Sequence, residues 1–133
     1  MPLIENGENP QTGLRGLDGI KAAKLAELNA SFAAAEAGGF VMSSLGFEVD
    51  ANDTANRNVE GLIKMLTATG TAQTVFCDHN NAMQQVSLEQ LSTIQLEIIG
   101  YGQQLYAKKW QLREAVNAAA TADEVNAVSW DAA

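Results

Sequence analysis

Cysteine, histidine and basic residues are scarce in this chain, and each shortage closes a class of function. The one cysteine, Cys77, excludes an intrachain disulfide and fits a reducing compartment. With one histidine, His79, the chain cannot assemble the Cys and His ligands of an ordinary zinc site. Eight Lys and Arg stand against sixteen Asp and Glu, a formal charge of −8. Phosphate binding draws on clustered cations, and the densest pair here, Lys108–Lys109, sits inside a helical pattern. Nucleic acid is therefore not an expected partner. No apolar run approaches the ~20 residues of a membrane span, so no membrane insertion is expected. The opening M-P-L-I-E-N-G-E-N-P lacks the basic and apolar segments of a signal peptide, which makes a cytoplasm the expected compartment. Phosphate-binding glycine loops, Gly-x-Ser-x-Gly and His-Glu-x-x-His are also missing.

What is present is an ordinary composition, 47% hydrophobic and 18% charged over 133 residues, with room for one core and not two. Its dominant stretch runs from Ser87 to about Ala119 without a proline. Apolar residues recur at Leu91, Ile94, Ile98, Tyr101, Leu105, Leu112, Ala115 and Ala119, broken at Lys108. That spacing marks one face of a helix. A second row, Ile99, Tyr106 and Trp110, lies beside it and predicts a buried side wider than a coiled-coil seam. Such a helix is roughly 45–50 Å long, more than a small domain is wide. Its cover must come from the rest of the chain or from a second copy. Gly100 and Gly102 each cost about 1 kcal/mol there relative to alanine. They predict close approach of another backbone, or a bend.

In chain order, residues 1–16 carry Asn6-Gly7, Asn9-Pro10 and Gly13 and read as an N-terminal arm. A single domain is expected over 17–133. Leu17 to Ala37 is alanine-rich and helix-forming, with Leu25, Leu28, Phe32 and Ala35 as its stripe and Gly38-Gly39 as its stop. Residues 40–50 read as a short β-hairpin around Ser44-Leu45-Gly46. A helix from Thr54 to about Ala68 follows, capped by Asp53 or Thr54, buried through Ala55, Val59, Leu62, Ile63 and Leu66, and ended by Gly70. Residues 74–86 form a second hairpin whose turn is Asp78-His79-Asn80-Asn81. Ser87 with Gln90, and Thr121 with Glu124, are capping boxes for the long helix and a short terminal one. The expected fold class is α+β, mainly helical, with the long helix packed on shorter helices and two antiparallel hairpins.

Candidate chemistry is thin. Cys77, Asp78 and His79 are consecutive, but adjacent residues of a strand face opposite ways, so Cys77 and His79 could share a face while Asp78 could not join them. Asp50, Asn52 and Asp53 resemble a calcium loop until Ala55 stands where glycine is needed and Gly61 where glutamate is. Glu48, Asp50, Asp53 and Glu60 could pair for acid–base work, although carboxylates beside helix starts are more often caps and solvated surface. No catalytic residue, metal site or cofactor is expected. The aromatic surface of the C-terminal third is more informative. Tyr101, Leu105, Tyr106, Trp110 and Trp130 are candidates either for core or for an interface, where Trp and Tyr act as anchors. The length of the helix favours the interface and a homo-oligomer.

The order of motifs carries a resemblance. A Lys-bearing helix and a Gly-flanked hairpin precede F-E-V-D-A-N-D-T-A-N-R-N-V-E-G-L-I. Then come V-F-C-D-H-N-N, L-Y-A-K-K-W-Q-L-R-E-A-V and T-A-D-E-V-N-A-V-S-W. Over residues 17–130 this resembles the domain of unassigned function found in tailed-phage and prophage proteins, often at the C-terminus of tail-fibre or tail-assembly components. The markers are Phe47, Asp50, Thr54, Arg57, Gly61, Asp78, Asn80, Leu105, Tyr106, Thr121 and Trp130. Phe76, where tryptophan is usual, and His79 depart from the pattern. The resemblance implies a non-enzymatic tail-associated structural or assembly protein, with a phage tail or tail-fibre protein as partner. It implies the bacterial cytoplasm during assembly, or the virion tail, as location. The alternative from composition is a stand-alone acidic protein that binds a basic partner.

Overall fold

Local chemistry at the helix ends sets the frame of the molecule. The structure, a computed structural model, describes residues 16–131, so the arm expected over 1–16 lies outside the described residues apart from Gly16. The elements run α1 (Gly16–Ala37), β1 (Phe40–Met42), β2 (Glu48–Asp50), α2 (Asp53–Thr69), β3 (Gln73–Cys77), β4 (Met83–Ser87), α3 (Leu88–Ala118) and α4 (Ala122–Ala127). This is the expected mainly helical α+β class. Each hairpin is its own two-stranded antiparallel sheet, with Val41 opposite Val49 in one and Val75 opposite Gln85 in the other.

The caps explain the boundaries. Ser87 and Gln90 bond reciprocally: the Gln90 N–H donates to Ser87 Oγ at 3.2 Å, and the Ser87 N–H donates to Gln90 Oε1 at 2.9 Å. Thr121 caps α4 by accepting from the Glu124 N–H, while Glu124 reaches back to the N–H of Ala120. The cap of α2 is Asn52, not Asp53 or Thr54. Its Oδ1 accepts from the Ala55 N–H at 2.8 Å and its Nδ2 donates to Ala37 O at 3.1 Å, so one side chain secures the ends of two helices. Gly70 closes α2 with a left-handed φ of 70° and an N–H donated to Leu66 O.

The described residues form two compact units, one of residues up to Ala33 and from Tyr106 onward, the other Ala34–Leu105. In place of the single expected core there are two apolar clusters. The first-named unit buries Leu28, Leu112, Val116, Ala119 and Val125, with Trp130 against them. The other buries Val49, Val59, Leu66, Val86, Leu91, Ile94 and Ile98, flanked by Phe47, Phe76 and Tyr101. A 31-residue helix is too long for one cluster to use all of it, and α3 contributes apolar residues to each.

Helix α3 is continuous through Gly100 and Gly102, and neither has a neighbour within 4 Å of where a Cβ would stand. The close approach expected there is not made within the described chain. Two other expectations about α3 change. Val116 is buried and Ala115 is exposed, a change at one position of the stripe, since Leu112 and Ala119 on either side of it are buried as expected. The row of Ile99, Tyr106 and Trp110 does not widen the buried side; all three are exposed.

Candidate interaction surfaces

Aromatic residues of the first unit form a contiguous array of tilted and edge-on contacts. The Phe32 ring, on α1, lies 4.9 Å from that of Tyr106 and 6.3 Å edge-on from Trp130. Tyr106 in turn lies 5.7 Å from Trp110, one helical turn along. Cations cover this array: Lys109 Nζ stands 4.5 Å over Phe32, and Lys108 Nζ 4.4 Å over Trp130. Trp130 is half-buried, while Tyr106 and Trp110 keep 42% and 47% of their surface exposed. Beside them Leu25, Leu28, Asn29, Lys109 and Arg113 line a hollow of about 230 Å³.

The other candidates, Tyr101 and Leu105, belong to the second unit and to its interior. Leu105 is buried, and the half-buried Tyr101 lies over Gly39 and donates its hydroxyl to Ala35 O at 3.4 Å. A glycine opposite the ring is what lets it come that close. Phe32 escaped sequence reasoning as an interface residue because its role depends on contacts 74 or more residues away along the chain.

The turn at Asp78-His79-Asn80-Asn81 is present, with Asn81 in left-handed backbone at φ 65°. Asp78 is buried and organises it. One carboxylate oxygen accepts from the N–H groups of Asn80 and Ala82, each at 2.9 Å, and the other from Gln84 Nε2. The Gln84 bond and then the Ala82 bond hold its pKa below the usual carboxylate value, against the opposing effect of desolvation. The turn then grips the first hairpin. The His79 N–H donates to Glu48 O at 2.8 Å and Asn80 Nδ2 donates to Glu48 Oε1. The imidazole meets Asp50 at 2.5 Å and stacks on Phe40 with centroids 4.0 Å apart. The Cys77 thiol instead contacts Asp78 O and Asn81 Oδ1, so the thiol and the imidazole have different partners. Among the described residues no group of three or more His, Cys, Asp or Glu could hold a metal, and no helix is long and apolar enough to cross a membrane.

Glu97 was not legible as a special residue. Its two oxygens accept from Ser43 Oγ at 2.7 Å and from the Ser44 N–H at 2.9 Å, tying the first hairpin to α3. Burial pushes its pKa up, but those hydrogen bonds outweigh it and the net shift is downward. A carboxylate whose folded pKa is depressed stabilises the fold above its unfolded pKa, and that contribution is lost as pH falls through the folded value. Asp78 and Glu97 should therefore weaken the fold in acid, below their ordinary values of 3.8 and 4.5. Urea midpoints measured from pH 7 to pH 2 should fall in that window. In an Asp78→Asn, Glu97→Gln double variant the midpoint at pH 7 should be lower and its acid dependence flatter.

A family profile for a domain of unknown function (DUF4376) matches residues 19–131. The chain belongs to that family. The matched span covers α1 through α4 except the first residues of α1, so both compact units fall within one DUF4376 domain. No curated protein and no solved structure matches the chain.

Proposed function

We propose that this DUF4376 domain is a tail-associated structural or assembly protein of a tailed phage or prophage, acting by association with copies of itself and with a tail or tail-fibre protein. Catalysis has no part in this reading. The tail context rests on the motif order from Phe47 to Trp130; the association rests on one observation, the exposed Tyr106–Trp110 pair on the aromatic array. Tyr106, packed against Phe32, and Trp110, packed against Tyr106, are large aromatic side chains that lose little conformational freedom on binding, which is why such residues dominate association energies. The bacterial cytoplasm is the place of assembly in this reading and the tail its destination.

Light scattering on the purified chain tests it: mass should rise with concentration above that of one 14.1 kDa chain. A Tyr106→Ala, Trp110→Ala variant should lose at least about 30-fold in association affinity, the effect of a hot spot of roughly 2 kcal/mol. Its far-ultraviolet circular dichroism should not change. Co-purification with a tail-fibre protein encoded nearby would support the tail context. A chain that stays monomeric at high concentration would overturn self-association. It would favour a second reading, an acidic protein that holds a basic partner, which draws on the charge of −8.

A further inference from the structure

Charge is unevenly divided between the two units. The second unit has Arg57 and Lys64 as its only basic residues, against eight carboxylates. Its first hairpin sorts them in a particular way. Cross-strand pairing sets Phe40 opposite Asp50 and Met42 opposite Glu48, with Val41 opposite Val49 between them. Alternation along the strands places Phe40, Met42, Glu48 and Asp50 on one face and the valines on the other. Val49 is fully buried, so the four-residue face points outward, with Phe40 44% and Met42 64% exposed. This face offers two apolar side chains edged by two carboxylates, and the turn of the second hairpin shares it. The His79 ring stacks on Phe40 and bonds Asp50, and Asn80 bonds Glu48, which leaves Met42 and Asp50 the most open of the four.

The first unit offers the converse. Tyr106, Lys109, Trp110 and Arg113 are spaced i, i+3, i+4 and i+7 on α3 and so share one helix face. That face presents two aromatics and two cations beside the hollow floored by Leu25 and Leu28. A symmetric contact between two such cationic faces, or two such acidic ones, would set like charges together. Joining one to the other sets unlike charges together and buries apolar surface on each.

We infer that the β1–β2 hairpin of one copy docks on the α1–α3 aromatic face of the next, giving head-to-tail association. This deepens the proposed self-association and rests on it. A contact that uses different surfaces on its two sides leaves one of each unused at the ends of any open assembly. Copies therefore add until a ring closes, or continue as a filament.

The full chain and two variants decide it. Lys109→Glu with Arg113→Glu removes the cationic side, and Met42→Lys spoils the hairpin side, where that side chain is mostly solvent-exposed. Each variant alone should be monomeric by light scattering with wild-type circular dichroism. Mixed in equal amounts they should form a 1:1 heterodimer, because each retains the half the other lacks. If the charge reversal fails to fold, Lys109→Gln with Arg113→Gln replaces it in the same mixture. Wild-type association should also weaken at least tenfold between 50 mM and 500 mM salt. Two monomeric variants that stay monomeric when mixed would indicate a symmetric interface and overturn the head-to-tail arrangement. Association unaffected by either change would leave self-association standing and overturn this surface. A monomeric wild-type chain would overturn the proposed function itself.

Discussion

Gly39→Ala is expected to lower the unfolding free energy by about 1–3 kcal/mol, and Gly39→Val by more, the range for forcing atoms into a filled site. A Cβ at this position would stand 2.8 Å from the Tyr101 hydroxyl oxygen and 2.9 Å from Ala35 O, and would overlap the ring carbon Cε2 of Tyr101. The backbone cannot easily retreat. The Gly39 carbonyl accepts from the Ala51 N–H, and the Gly39 N–H donates to Glu36 O. Those bonds turn the chain from α1 into β1, so strain at Gly39 reaches the β1–β2 hairpin. Urea denaturation of Gly39→Ala in wild-type and Tyr101→Leu backgrounds separates the two sources of strain. If the Tyr101 ring is the main obstacle, the second background should recover much of the loss, and the cycle should be non-additive by about 1 kcal/mol or more. A cost unchanged by Tyr101→Leu would assign the strain to Ala35 O alone.

That contact also shows where sequence reasoning reached and where it stopped. Gly38-Gly39 could be read as a helix stop because glycine ends helices by local rules. Nothing local said that Tyr101, 62 residues on, would lie across it, and so Tyr101 looked like an interface residue. The same division holds elsewhere. Ser87 with Gln90, and Thr121 with Glu124, were legible because donor and acceptor lie within one turn. In Asn52-Asp53-Thr54 three consecutive residues could each cap, and the choice fell to Asn52, whose side chain also reaches Ala37 O. On α3 the three-four spacing was unambiguous from Leu91 to Ile98. Beyond the cation at Lys108 it could be resumed through Ala115 or Val116, and the larger side chain took the buried place. Of the candidate surface, Tyr106, Trp110 and Trp130 could be named from residue type. The array that holds them could not, since Phe32 enters only through tertiary packing.

The assignment of the inner and outer faces of α3 can be tested with one residue type. Leu91 is 0% exposed and Leu96, five positions further on, is 70% exposed. Leu91→Ala should cost about 3 kcal/mol, within the range for truncating a core leucine, because it removes side-chain atoms from the cluster of Val49, Val59, Val86 and Ile94. Leu96→Ala should change stability by no more than about 0.5 kcal/mol, as surface substitutions do. Alanine is the better helix former of the two, so intrinsic propensity opposes the predicted loss at Leu91 and cannot account for it. Both variants should be compared at a concentration where the chain is monomeric, because association by the folded state alone adds apparent stability. Equal, small losses at the two positions would mean that α3 is rotated from the arrangement described, and with it the exposed row that ends in Tyr106 and Trp110. A large loss at Leu91 alone, read from urea midpoints with unchanged m-values, would fix the rotation of the helix and leave its outer row available for a partner.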